Sequence, residues 1–294
     1  MPPPKLLVLG ATGLLGTAVC EAARGRPLEV LAAARAGPVP VEIRDEAALR
    51  ALLDTHRPDW IVNAAAEVSV DACQRDPGGA WMVNARPAAI LAAYAKQAGA
   101  RFIHVSTDHF FHGDDDARHD EAAPVTLLND YARGKYAAEG LALTDPGALV
   151  LRTNMVGVRS RNGGSFGEWA RRLIETDGEG TLFEDQYVSL LDVWSLADAL
   201  LDLAATPAVG VLNLGSREVF SKAAFVRALA AALDRPLTRA RTGSAAMLAV
   251  PRPDSLGLDV SRAEAWLGRA LPNLNQVAHS LAAQIRADPG QDRP

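Results

Sequence analysis

The chain opens on a strand-like run, Lys5-Leu-Leu-Val-Leu9, followed at once by Gly10-Ala-Thr-Gly13-Leu-Leu-Gly16 and an apolar helical pattern from Thr17 to Arg24 closed by Gly25. Few folds accept a strand, a glycine turn and a helix in so few residues. Glycines let the backbone turn sharply and approach a pyrophosphate, which sits on the free N–H groups at the helix N-terminus. The spacing is GxxGxxG, not the GxGxxG of many dehydrogenases, but the strand and helix that a dinucleotide-binding turn requires are both in place.

Beyond Gly25 the alternation of strand and helix continues. Short apolar runs at Leu28–Ala33, Trp60–Asn63, Arg101–Val105 and Ala148–Leu151 alternate with helical stretches at Glu46–Thr55, Ala80–Ala98 and Asn129–Leu143. That pattern predicts a doubly wound, parallel α/β sheet of Rossmann type, with helices on both faces. After Leu151 the rhythm loosens into a Gly-rich loop at Asn162–Gly164, a helix near Phe166–Glu175 and a strand at Thr181–Phe183. A helix at Asp192–Ala205 and a strand at Val211–Leu214 resume it, and helices at Ser221–Leu233 and Ser261–Leu267 flank an irregular Pro- and Arg-rich segment. The division expected is a nucleotide-binding core of residues 1–152 and about 184–215, with a smaller, discontinuous substrate-binding portion of about 153–183 and 216–294.

Ligands in open α/β sheets lie beyond the carboxyl ends of the strands. That rule selects Asn63-Ala-Ala-Ala66, where small residues let a flat cofactor lie close, and Ser106-Thr107-Asp108, whose hydroxyls could bond a substrate carbonyl oxygen. Tyr131-Ala-Arg-Gly-Lys135 comes next. On a helix, residues four apart share a face, so a phenol and an ammonium would point at one bound molecule. A free phenol titrates near pH 10, and a nearby cation lowers that value toward a useful acid–base range.

Composition excludes several functions. A net charge of −5 gives no electrostatic reason to expect nucleic acid or an anionic membrane as partner. No apolar run reaches transmembrane length and the start carries no signal-peptide core. Cys20 and Cys73 are too few for a disulfide framework and read as reduced thiols in a cytoplasmic protein. His109, His112, Asp114, Asp115, Asp116, His119 and Asp120 crowd one segment but lack ligand spacing, so no metal is expected, and the run reads as a loop over the site.

Gly10–Gly16, Asn63–Ala66, Ser106–Asp108 and Tyr131–Lys135, in this order, resemble an extended short-chain dehydrogenase/reductase. Pro58-Asp-Trp-Ile-Val-Asn-Ala-Ala-Ala66, Val70-Asp71, His104-Val-Ser-Thr-Asp108, Phe111-His-Gly113, Arg152-Thr153, Asp185-Gln186 and Arg252-Pro-Asp-Ser255 narrow the likeness to the dTDP-4-dehydrorhamnose reductase family. The resemblance implies a catalytic set of Thr107, Tyr131 and Lys135: the phenol protonates the C4 oxygen of a nucleotide-linked 4-keto-6-deoxy sugar as NAD(P)H delivers hydride to C4. It implies cofactor contacts from Gly10, Thr12, Gly13, Leu14, Leu15, Glu42, Ile43, Ala64, Ala65, Ala66, Ser106, Tyr131 and Lys135. Arg35, where many NAD enzymes carry an acid, could pair with a 2′-phosphate and favours NADPH, with NADH the alternative. Val70, Asp108, His109, Asn154 and Met155 would border the sugar, and Arg252 would grip the nucleotide diphosphate. A homodimer is one assembly open to such a chain.

Two departures bear on the substrate. Family members usually have Tyr after Ser-Thr-Asp, where this chain has His109, and often Trp two residues beyond Arg-Thr-Ser, where it reads Arg152-Thr-Asn-Met155. The same family includes a non-catalytic regulatory subunit of methionine adenosyltransferase, and a nucleotide-sugar epimerase is a third reading. An intact Thr107, Tyr131 and Lys135 set favours catalysis, because a pure binder has no need of a tuned phenol.

Overall fold

Apolar runs and amphipathic stretches become β1 (Lys5–Leu9), α1 (Leu14–Arg24), β2 (Glu29–Ala34), β3 (Val39–Pro40), α2 (Glu46–His56), β4 (Trp60–Asn63), α3 (Val70–Arg75), α4 (Pro77–Asn84), α5 (Arg86–Ala98), β5 (Arg101–Val105), α6 (Asp130–Ala142) and β6 (Leu149–Thr153). Then come β7 (Met155–Val156), α7 (Phe166–Glu175), β8 (Gly180–Phe183), β9 (Tyr187–Val188), β10 (Leu191–Asp192), α8 (Val193–Ala204) and β11 (Gly210–Leu214). The last elements are β12 (Phe220–Ser221), α9 (Lys222–Ala232), β13 (Ala240–Gly243), β14 (Ser255–Leu256), α10 (Ser261–Leu267) and α11 (Leu274–Ala287). The structure, a computed structural model, describes residues 2–159, 164–245 and 252–287. Residues 162 and 163 of the Gly-rich loop and the tail from 288 lie outside them.

Seven strands form one parallel sheet in the order β11-β6-β5-β4-β1-β2-β3, so the order reverses at β1, between β2 and β4. That reversal is the switch point where open α/β sheets take ligands. Leu6, Leu7, Val8 and Leu9 of β1 are fully buried, as strands covered on both faces must be. Leu7, Leu9, Ile61 and Phe102 pack against Leu49 and Leu53 of α2, Leu91 and Ala95 of α5, and Ala138 and Ala142 of α6.

The chain divides into two compact units. One is Met1–Thr107, Leu127–Thr153 and Ala197–Leu212; the other is Asp108–Thr126, Asn154–Leu196 and Asn213–Pro294. Within the second, β9 is the middle strand of a three-stranded sheet, antiparallel to β12 and parallel to β14. Phe166, Trp169, Phe220 and Phe225 form an aromatic cluster beneath it, with neighbouring ring centroids 5.7 to 6.3 Å apart.

Several elements differ from the sequence reading, the short strands among them. Ala80–Ala98 is two helices, because Pro87 near the start of α5 lacks the N–H that a continuous helix would need. Helices α3 and α11 are additional. The segment rich in His and Asp is the loop the sequence predicts, and it is held down: His119 N donates to Gly257 O at 3.0 Å, its ring stacks on Phe111 at 4.1 Å, and its Nδ1 sits 2.9 Å from Gly257 O. His112 Nδ1 is 2.8 Å from Asp254 Oδ1, and Ser255 Oγ donates to Asp115 O at 2.8 Å.

Candidate active site

The glycine turn after β1 and the alanine segment after β4 are in close apposition. Gly10 has φ +78°, and a Cβ there would lie 2.8 Å from the Ala65 backbone. A Cβ on Gly16 would lie 2.1 Å from Gly10 O. Asn63 supports the other side, its Oδ1 accepting from Ala65 N at 3.3 Å. Gly13 is the N-cap of α1, and no side-chain hydrogen bond caps that end. Thr12 is exposed, Leu14 half-buried and Leu15 buried along this turn. Gly10→Ala meets both the steric limit and a left-handed backbone, so a loss of about 2 kcal/mol is expected in a urea melt. An unchanged midpoint would show that the turn relaxes freely.

Arg35 is exposed just past β2, while Glu42 and Ile43 are half-buried after β3. Hydrogen bonds from Arg44 hold the Glu42 carboxyl down to about 2, with the Arg35 charge a smaller influence. Val70 is buried as the first residue of α3, which Ser69 caps.

At the carboxyl end of β5, Ser106, Thr107 and Asp108 are all buried. Helix α6 starts nearby, capped by the buried Asn129, whose side chain accepts from Ala132 N at 2.9 Å. That cap sets Tyr131 in the first turn and Lys135 one turn on, both buried. Lys135 Nζ donates to Val105 O at 2.6 Å, which places the ammonium two residues from Thr107.

Glu139 stands another turn along, where no sequence motif marks it. Ser106 Oγ donates to its Oε1 at 2.6 Å, and Arg152 of β6 clasps it with Nε at 3.0 Å and Nη2 at 2.8 Å. Ser106 is therefore bonded to a buried ion pair, not simply turned toward a cofactor. The signal that could have found it is the same four-residue step: Tyr131, Lys135 and Glu139 fall on one helix face, and a carboxylate there needs a partner.

Burial pushes the Lys135 ammonium down to about 8, against the opposing pull of Glu139. Burial, and then the Lys135 charge, hold His104 well below its ordinary value, and its Nδ1 lies 3.3 Å from Asn63 Nδ2. Between about pH 8 and the ordinary lysine value the unfolded chain keeps a proton that the folded chain has released, so this group's contribution to stability rises with pH. Below pH 8 both states are protonated and the slope vanishes. The stability difference between the parent protein and Lys135→Met should therefore grow by about 1 kcal/mol from pH 8 to pH 9. A constant difference in urea melts at the two pH values would contradict it.

In the second unit, Asn154 Nδ2 donates to Asp108 Oδ2 at 2.6 Å. His109 is half-buried, and burial, with the charges of Lys222 and Arg252, holds it down to about 3, a neutral imidazole. Met155 is half-buried in β7 and Arg252 is exposed. Among the described residues no group of three or more His, Cys, Asp or Glu could hold a metal ion, and no helix is long and apolar enough to cross a membrane.

Comparison with known proteins places the chain in a family. Residues 4–286 match the family model described as the RmlD substrate binding domain. A dTDP-4-dehydrorhamnose reductase of Mycobacterium tuberculosis is 32% identical over 294 residues, covering 96% of this chain and 93% of that protein. A probable low-salt glycan biosynthesis reductase of Haloferax volcanii is 28% identical, covering 94% and 96%. Among solved structures, a dTDP-4-dehydrorhamnose reductase of Clostridium acetobutylicum superposes with a TM-score of 0.85 at 21% identity, over 96% of this chain and 99% of that one, which establishes a shared fold. A family match over nearly the whole chain, together with a relative above 30% identity at full coverage, shows that this chain belongs to the RmlD substrate binding domain family.

Proposed function

We propose that the protein is an NADPH-dependent reductase of a nucleotide-activated 4-keto-6-deoxy sugar. The observation that carries this reading is the buried Tyr131 and Lys135 pair, its ammonium fixed on Val105 O beside Thr107. The full-length relatives bear the name reductase, which supports the same chemistry.

The residues present fit a dinucleotide. Gly10 and Gly16 let the turn pack closely against Ala65 and against itself, and no side-chain hydrogen bond caps α1, so its first N–H groups can serve a pyrophosphate. Gly10, Thr12, Gly13, Leu14 and Leu15 would hold it, with Ala64, Ala65 and Ala66 alongside and Arg35 on a 2′-phosphate. NADPH, when bound, supplies a hydride for the C4 carbon. Tyr131 delivers a proton to the C4 oxygen, Thr107 hydrogen-bonds that oxygen, and Lys135 holds the ribose and keeps a positive charge beside the phenol. Asp108, His109, Asn154, Met155 and Val70 would border the sugar, with Arg252 on the diphosphate. Cys20 and Cys73, both free and buried, fit an enzyme that works in the cytoplasm.

The test is NADPH consumption by purified protein supplied with dTDP-4-keto-6-deoxy-L-lyxo-hexose. Turnover with a reduced sugar product is expected. NADPH binding without turnover, on this and related nucleotide sugars, would move the protein to the regulatory-subunit reading. Sugar interconversion without net NADPH loss would make it an epimerase.

A further inference from the structure

Lys222 is placed against three physical penalties. It is the first residue of α9, where the helix dipole disfavours a cation, and Ser221 already caps that end. It is half-buried, and desolvation pushes its ammonium down to about 8, leaving it charged at neutral pH. It also has Arg252 as a neighbouring like charge, which depresses it further, against the pull of Asp108. Its ammonium lies over the Phe166 ring, 5.2 Å from the centroid, and among the described residues makes no hydrogen bond and no ion pair. Three N–H donors thus stand ready in a partly dry setting.

The backbone explains how the two cations come together. Gln186, just before β9, accepts from Lys222 N at 2.9 Å through its carbonyl and donates from its side chain to Pro253 O at 3.2 Å. Tyr187 N donates to Asp254 O at 2.7 Å. One residue therefore pins the start of α9 and the Arg252–Pro253 step side by side. Neighbouring carboxylates are engaged elsewhere, Asp254 with His112 and Gly113, and Asp185 with Ser244 and Ala245. A cation kept where desolvation, dipole and a like charge all oppose it, with its donors unspent, is a binding group.

We infer that Lys222 is a substrate-recognition residue whose ammonium takes an oxyanion of the nucleotide sugar, next to Asp108 and His109. The inference rests on the sugar-nucleotide reading and adds a residue to it. The oxyanion is the diphosphate bridge, since a 6-deoxy sugar carries no carboxylate. His109, neutral here, cannot supply the charge itself.

Calorimetric titration of the parent protein, Lys222→Gln and Lys222→Arg with dTDP, thymidine, dTDP-glucose and dTDP-glucuronate tests this. UDP and GDP would be run alongside, with thermal melting and NADPH affinity as controls for folding. At least a tenfold weaker affinity of Lys222→Gln for dTDP, with no change for thymidine and recovery to within about threefold in Lys222→Arg, is expected. An unchanged dTDP affinity in Lys222→Gln, with a parental preference for dTDP-glucuronate over dTDP-glucose that this variant loses, overturns the diphosphate assignment and the 6-deoxy substrate together. Equal binding of every nucleotide by parent and Lys222→Gln overturns the inference and leaves the reductase reading standing. Loss in both variants alike means the side chain only packs, and overturns it as well. Absence of binding by the parent to any nucleotide tested overturns this inference and the sugar-nucleotide reading together.

Discussion

Tyr131→Phe is expected to lower turnover by about three orders of magnitude while NADPH still binds within a few-fold of the parent affinity. Positioned general acid catalysis contributes roughly 10²- to 10⁴-fold, and this substitution removes the proton without removing the ring. Tyr131 is 9% exposed in the first turn of α6, behind an Asn129 cap that does not involve the hydroxyl. Phenylalanine keeps that packing, so thermal stability should hold to within about 1 kcal/mol. Lys135 stays on Val105 O, since its hydrogen bond does not involve the phenol. Single-turnover kinetics with NADPH, combined with a fluorescence titration of the cofactor, would separate the two effects. Turnover within tenfold of the parent would remove Tyr131 from the role of proton donor. Collapse of cofactor affinity with turnover would make it a binding residue instead.

That experiment probes the part of the molecule that was most legible in the sequence. Trp60–Asn63, Arg101–Val105, Phe166–Glu175 and Ser261–Leu267 occupy the residues that apolar runs and caps predict, because their limits are marked by charged or small residues at both ends. The parallel sheet follows from β1, the glycine turn and α1, whose close packing leaves few other topologies. What the sequence hid has a common physical origin. β7, β9, β10, β12 and β14 are two-residue strands, too short to show a period. Their partners are distant in the chain, as when β9 joins β12 and β14. Lys222 and Glu139 were illegible for the same reason. A charged residue at a helix start or on a helix face usually meets water, and only the partner that long-range pairing brings near reveals otherwise.

Arg152→Met should cost about 3 to 5 kcal/mol of stability, the range for removing one partner of a buried ion pair. Arg152 is 4% and Glu139 3% exposed, and the pair is bidentate. Methionine fills much of the same space but leaves a carboxylate in a dry interior, answered among the described residues by Ser106 Oγ and the opposing Lys135 charge. Removing both partners is a different matter. Glu139→Leu with Arg152→Met replaces the pair by apolar groups of similar size, and such exchanges are often neutral or stabilising. The double variant should therefore recover most of the stability that Arg152→Met loses, which a urea-melt double-mutant cycle would read as a strong positive coupling. Equal losses in single and double variants would show that packing volume, not charge, is what the pair supplies. Activity should separate from stability in the same series. The double variant frees the Ser106 hydroxyl and withdraws the carboxylate of Glu139 that favours the charged form of Lys135, so its turnover should stay depressed even where its stability returns. A refolded double variant with parental turnover would show that Thr107, Tyr131 and Lys135 need no support from this ion pair. A stable but slow one would mean that the Glu139 and Arg152 charges are retained for the alignment of β5 and α6 at the reacting centre, at no net gain in folding.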